Sequence, residues 1–262
     1  MKKAPYLALL ILIASSCTSQ KQLAYLGNLP EAGGESTFTM SIPDYKLQPR
    51  DILYITIKAM TPEGYIADFL SLNRGSSNSN LIQAETGSYL YGYDIDSEGN
   101  IQLPAIGKIK VGGSTLEQTR KIIQATAEKV FRNATVECKL LSFKYTVLGE
   151  VRSPGTFINY NNYLTVLEAV GRAGGLNDYG RRDRILVIRP YESGTKTFVL
   201  NLQDKKILSS EGYFLLPNDV VIVQEGKKKI FNLNLPTFSF IIVSLTSTLT
   251  TTILLLDYFK AH

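Results

Sequence analysis

The residues able to do chemistry are few. The only histidine is His262, and a single imidazole there completes no Ser-His-Asp arrangement. With one His and two Cys, Cys17 and Cys138, no His/Cys metal cluster is available. Asp178 and Asp183 come nearest to a carboxylate pair, but they fall in a turn-like stretch where water solvates them. Asp94, Asp96, Glu98 and Gly99 imitate the opening of a calcium loop, yet its twelfth position is Ala105, where a bidentate Glu is required. The sequence therefore indicates no catalytic residues, no metal and no cofactor. Two other features do carry chemistry: a cysteine near the start of the chain and a run of hydroxyls near its end.

Met1-Lys2-Lys3 is a short basic segment, and Tyr6 to Ile13 is an apolar run too short to span a membrane. Ala14-Ser15-Ser16 then places small residues directly before Cys17. This resembles the lipobox of bacterial lipoproteins, in which the Cys becomes the lipid-bearing N-terminus. The resemblance implies a lipoprotein signal peptide over residues 1–16 with Cys17 as the lipidation site, and 17–44 reads as an N-terminal tether. Cys138 is different: it lies in Thr135-Val136-Glu137-Cys138-Lys139-Leu140, whose alternation turns it inward as a small buried hydrophobe.

From Ile230 to Leu256 there is no charged side chain, with Lys227, Lys228 and Lys229 before it and Asp257 and Lys260 after it. A helix from Phe238 to Phe259 is about 33 Å long, enough for a bilayer's hydrocarbon core. On a helical wheel Phe238, Ile242, Leu245, Leu249, Ile253 and Leu256 share one face, and Ser244, Ser247, Thr248 and Thr251 lie opposite. A strand competes, because Ser244, Thr246, Thr248, Thr250 and Thr252 alternate, but Ser247 and Thr251 break its other face and a barrel needs many strands. The pattern predicts a transmembrane helix with a lipid face and a hydroxyl face. In a ring of identical helices, Ser244, Thr248 and Thr251 would line the pore.

Bulk properties set bounds. With 44% hydrophobic and 19% charged residues the chain has ordinary globular composition, so a core is available outside that helix. The net charge of +5 includes Lys2 and Lys3, and no basic run is interleaved with aromatics, which excludes nucleic acid as a partner.

Between tether and helix the elements alternate. Tyr45-Lys46-Leu47-Gln48-Pro49-Arg50-Asp51 leads into an alternating strand. The same Tyr-x-Leu-x-Pro-x-Asp pattern returns at Tyr213, Leu215, Pro217 and Asp219 before another strand, an internal repeat. Thr61-Pro62 predicts a helix start running to Leu72, followed by a polar loop over Asn73 to Asn80. Tyr89 to Ile95 is strand-like, and Asp96 to Asn100 turns it into Ile101 to Pro104 as a hairpin. Ser114 with Glu117 predicts a capping box for a helix reaching about Phe131, and Val136 to Phe143 is a strand. Strand, turn and strand follow over 145–157. Thr165 and Glu168 form another capping box, and Gly174-Gly175 ends its helix. Strands over Asp183 to Arg189 and Thr197 to Leu202 complete this part.

Leu47-Gln48-Pro49-Arg50-Asp51, Gly99-Asn100-Ile101-Gln102-Leu103-Pro104-Ala105-Ile106-Gly107 and Gly113-Ser114-Thr115 resemble the polysaccharide-export domain. Val147-Leu148-Gly149-Glu150-Val151 with Pro154-Gly155, then 164–169 and Ala173-Gly174-Gly175-Leu176, resemble a soluble-ligand-binding (SLBB) β-grasp unit. With the lipobox and the terminal helix, the chain is similar to Wza-type outer-membrane polysaccharide exporters. Arg50 stands where that family usually has Gly, and one β-grasp unit is complete where enteric members have more. The resemblance implies an α+β fold: a polysaccharide-export domain (45–143), a β-grasp domain (144–226) and a C-terminal transmembrane region (227–262). It implies a periplasmic body, lipid-anchored at the outer membrane, and a homo-oligomeric ring. It also implies capsular or extracellular polysaccharide as transported substrate and an inner-membrane copolymerase as partner. The competing class is a membrane-anchored glycan-binding module without a pore. Arg172, Arg181, Arg182 and Arg184 are candidates to meet an acidic polymer or a neighbouring subunit.

Overall fold

The computed structural model of the chain describes residues 24–29, 37–70, 92–191 and 194–261. Two hydrophobic cores follow one another along the chain.

The first core is organised around β1 (Ile52–Met60), whose Leu53, Ile55 and Ile57 are fully buried. β6 (Thr135–Leu140) pairs along one side of it, antiparallel, with Ile55 opposite Cys138 and Ile57 opposite Val136. On the other side β1 pairs with β2 (Ile66–Asp68) near its end and β3 (Tyr93–Asp94) near its start. β4 (Asn100–Leu103) and β5 (Gly107–Lys110) make a separate hairpin that adds Ile101, Leu103 and Ile109 to the core. Helix α1 (Leu116–Ala127) closes it with Ile123 and Ala127.

The second core lies under a five-stranded mixed sheet. β7 (Lys144–Gly149) pairs antiparallel with β8 (Gly155–Ile158) and parallel with β11 (Val220–Glu225). β9 (Gly180–Tyr191) and then β10 (Gly194–Leu200) extend the sheet beyond β11. Helix α2 (Val166–Arg172) packs its Val166, Ala169 and Val170 against it. Leu140, at the end of β6, packs against both cores. Residues expected in the tether are partly docked here: the Leu26 N–H donates to the Leu202 carbonyl at 2.8 Å, and the Asn28 amide donates to Asp204 at 2.9 Å. Helix α3 (Lys227–Ala261) follows β11.

Local signals explain most of these boundaries. Thr165 and Glu168 form the expected capping box, and Gly174 and Gly175 take positive φ at the end of α2. The box at α1 is shifted by one residue, using Thr115 and Gln118 rather than Ser114 and Glu117. The helix expected from Thr61 is absent. Gly64 donates to the Thr61 carbonyl at 3.0 Å and the Thr61 N–H to Tyr65 at 2.8 Å, so Thr-Pro-Glu-Gly turns β1 into β2 as a hairpin. Proline suits the second position of such a turn as well as the first turn of a helix, and Gly64, at φ 85°, settles the matter. The loop expected over Asn73 to Asn80 lies outside the described residues.

The sequence repeat is a structural repeat. In each copy the Asp is buried and accepts from the backbone N–H three residues earlier: Gln48 to Asp51 at 2.9 Å and Leu216 to Asp219 at 2.8 Å. The residue before each Asp has positive φ, 74° at Arg50 and 67° at Asn218. Its N–H caps a neighbouring strand end, Arg50 to the Ile95 carbonyl and Asn218 to the Lys144 carbonyl. The carboxylates then differ in partner. Asp51 accepts from the Tyr45 hydroxyl at 2.8 Å and the Ser142 hydroxyl at 3.0 Å. Asp219 meets Arg189 at 2.8 Å, and the same guanidinium donates to the Phe214 carbonyl at 2.7 Å.

An L-residue in the left-handed region costs roughly 1–2 kcal/mol, part of which glycine returns as unfolded-state entropy. Arg50→Gly is therefore expected to stabilise the protein by about 0.5–1 kcal/mol, seen as a higher urea midpoint. Arg189→Met leaves Asp219 charged and unpaired in the core and should cost about 3–5 kcal/mol. Arg189→Met with Asp219→Asn should recover much of that loss in the same denaturation assay, because the amide oxygen still caps the turn.

Candidate functional site

Helix α3 begins in contact with the second unit. The Gly226 N–H donates to the Tyr179 carbonyl at 2.7 Å, and the Lys229 ammonium is ion-paired with Glu150 and lies 3.8 Å from Glu225. The Glu150 side chain is only 11% exposed, so this contact fixes the foot of the helix firmly. The Glu150 hydrogen bond, then its charge, raise the Lys229 pKa against the effect of desolvation.

From Ser239 onward the helix is not covered by any described residue. Ser239–Leu256 has a mean hydropathy of 1.9, and none of it is buried against the body. Ser244, Thr248 and Thr251 are exposed here, and so are Leu245, Leu249 and Ile253 on the other side. The hydroxyls are occupied by the helix itself. Ser244 donates to the Ile241 carbonyl at 2.9 Å, Thr248 to Ser244 at 3.0 Å and Thr251 to Ser247 at 2.7 Å. Thr246, Thr250 and Thr252 do the same one turn back. Such back-bonding satisfies each hydroxyl donor without a partner helix. The hydroxyl residues also form more of a belt than a stripe, since between Ser244 and Thr252 only Leu245 and Leu249 are neither Ser nor Thr.

The second feature is a cleft of about 540 Å³ between the two cores. Tyr45, Leu116, Glu117 and Arg120 line it from the first unit, and Tyr163 and Phe214 from the second. The turn repeat frames it on both sides, with Leu47 in one wall and Leu215 to Pro217 in the other. The sequence reading missed this cleft. Its one available signal was Asn159-Tyr160-Asn161-Asn162-Tyr163, an unusual run of aromatics and amides between β8 and α2.

Other candidate residues are accounted for. The Asp96 carboxylate accepts from the Glu98 and Asn100 N–H groups and sits 3.4 Å from Lys108. The Asn100 N–H above all holds its pKa low, so its oxygens serve the turn. Asp183 is bound by Arg181 at 2.6 Å, and Arg172 donates to the Ile158 carbonyl. Arg182 lies over the Tyr25 ring at 5.6 Å. Arg172, Arg181 and Arg182 thus each have a partner in their own chain, whereas Arg184 is exposed. Cys17 and His262 lie outside the described residues. Among the described residues no group of three His, Cys, Asp or Glu could hold a metal ion.

The described residues thus form two α+β units in series with a cleft between them, followed by one long apolar helix exposed over Ser239–Leu256. The polysaccharide biosynthesis/export protein family matches residues 40–141, and the SLBB domain family matches residues 143–223. The chain thus carries a polysaccharide biosynthesis/export match followed by an SLBB match, in the order that its sequence resemblance implies. It is 35% identical over 115 residues to the EPS I polysaccharide export outer membrane protein EpsA of Ralstonia solanacearum, covering 42% of this chain and 29% of that protein. It is 30% identical over 145 residues to the protein of the same name from Ralstonia nicotianae, covering 53% of this chain and 38% of that one. The chain thus spans about a third of the length of the relatives it matches.

Cys138 is 8% exposed, and burial pushes its thiol up to about 12. A protonated, enclosed thiol is a poor nucleophile. The native protein should therefore leave Cys138 unlabelled by a maleimide at pH 7.5, with labelling appearing only in denaturant.

Proposed function

We propose that the chain is an outer-membrane lipoprotein that exports capsular or extracellular polysaccharide. Its periplasmic body is anchored by lipid on Cys17 and assembles as a homo-oligomeric ring. The ring of α3 helices crosses the membrane, with Ser244, Thr248 and Thr251 toward the polymer. An inner-membrane copolymerase delivers the polymer to the periplasmic face. The body has no catalytic role in this reading.

The observation that carries it is the uncovered helix. An uncharged 18-residue span that no described residue covers is suited to cover by lipid, by copies of itself, or by both. The names of the Ralstonia proteins place polysaccharide export at the outer membrane for them. The back-bonded hydroxyls also favour a second reading, a single-helix anchor for a glycan-binding body. A helix that satisfies its own hydroxyls enters lipid alone at little cost.

Cysteine scanning separates the two. In the ring, Thr248→Cys assembles normally and reacts with a water-soluble thiol reagent, and a bulky adduct blocks export. Leu249→Cys stays unreactive. Leu249→Lys costs about 2.5–3.5 kcal/mol at mid-membrane and abolishes assembly. Equal reactivity at 248 and 249 would rule out the lumen assignment, and inertness at both would favour the anchor.

A further inference from the structure

The cleft between the cores has walls of unlike character. Beside 214–217, the wall from the second unit is the loop 160–163, and one buried amide holds that loop. Asn159 is 1% exposed; its side chain donates to the Asn161 carbonyl at 2.7 Å and to the Tyr163 carbonyl at 3.4 Å, and accepts from the Asn161 N–H at 3.3 Å. Its own N–H donates to the Phe143 carbonyl at 2.7 Å, tying the loop to the floor of the cleft. Because Asn159 points in, its neighbours point out. Tyr160 is 69% exposed and Tyr163 48%, with the Tyr163 ring braced edge-on against Phe214 at 6.1 Å and 85°. Asn161 and Asn162 are exposed between them.

This set of groups has a definite chemistry. Tyrosine rings offer flat apolar faces with little conformational entropy to lose, and asparagine amides offer both donors and an acceptor. A pyranose has the complementary character: an apolar C–H face and a rim of hydroxyls that both donate and accept. In the opposite wall the cations are compensated, and Asp44 adds a further negative charge. Arg120 holds Glu117 at 2.8 Å and Glu137 holds Lys139 at 2.6 Å, so no net cationic field draws in a polyanion. The volume of about 540 Å³ lies within the usual range for small-ligand clefts.

We infer that this cleft is a saccharide subsite, taking a sugar unit of the polymer with a ring face on Tyr160 or Tyr163 and its hydroxyls on Asn161 and Asn162. The inference rests on the export reading and deepens it, since it gives the body a contact with the polymer distinct from that of the helix. It selects for neutral hydroxyl-bearing rings rather than for charge.

The chain contains no Trp, so Tyr160→Trp supplies the sole indole and reports on the cleft alone. The full-length variant in detergent is titrated with neutral tetrasaccharides of glucose and N-acetylglucosamine, with oligogalacturonate, and with fragments of the cell's purified surface polysaccharide. Saturable emission changes are expected with a neutral probe or the native fragments. Asn162→Ala and Tyr163→Ala, both exposed positions, should each weaken saturation about tenfold. A flat titration with every probe overturns the subsite, as does tightest binding by oligogalacturonate. Emission that follows protein concentration instead marks the cleft as a contact between copies and overturns it equally. Deletion of the chain in cells tests the export reading separately. If deletion removes surface polysaccharide while the titration is flat, the subsite fails alone. If deletion changes nothing, the export reading fails whatever the titration shows.

Discussion

A carboxylate without water needs a full set of donors, and two such groups sit at matching places in this chain. Asp51 is 4% exposed and Asp219 is fully buried. Each carboxylate takes one N–H from its own turn, and that requirement draws the turn tight enough to force the preceding residue into positive φ. The remaining oxygens are satisfied from elsewhere: Tyr45 and Ser142 for Asp51, Arg189 for Asp219. The first set ties the entry segment to the end of β6, and the second ties β9 to β11. Both cores, and the cleft that the turns flank, depend on these polar anchors being complete.

What could be read from the sequence was local. Thr165 and Glu168 interact over three residues, and the repeat of Tyr, Leu, Pro and Asp is plain to the eye. The order of units and the apolar terminal helix were legible for the same reason. Failures came where one residue type serves two geometries. Ser114 and Thr115 can each cap a helix, and Gln118 rather than Glu117 decided between them. Pro62 suits a helix start and a turn alike, and the decision rested with Gly64 and with strand pairing to β1. The cleft was illegible because its walls come from residues far apart in sequence. No pattern along the chain announces that Tyr45 and Tyr163 will line the same space.

The terminal helix shows how composition and geometry can pull apart. On a wheel, its Ser and Thr residues suggest a face reserved for water. In three dimensions Ser244, Thr246, Thr248, Thr250, Thr251 and Thr252 turn back on their own backbone, which makes the span compatible with lipid even though it is only moderately apolar. A span of that kind is weakly retained by any one membrane and gains most when small side chains allow helices to approach closely. The ion pair of Lys229 with Glu150 gives the same helix a fixed origin on the second unit.

The short docked stretch around Leu26 and Asn28 has a consequence for the order of events in biogenesis. Its partners, Leu202, Asp204 and Lys205, lie beyond the entire first unit in sequence, with Asn28 and Asp204 separated by 176 positions. At ordinary ribosome speeds the two ends are made roughly ten to thirty-five seconds apart. The first unit can close on itself during that interval, while the second stays incomplete until the last of its strands is available. The clasp of 24–29 onto 202–205 is thus a late event, and a nascent chain caught before it would carry a finished export domain beside an open neighbour.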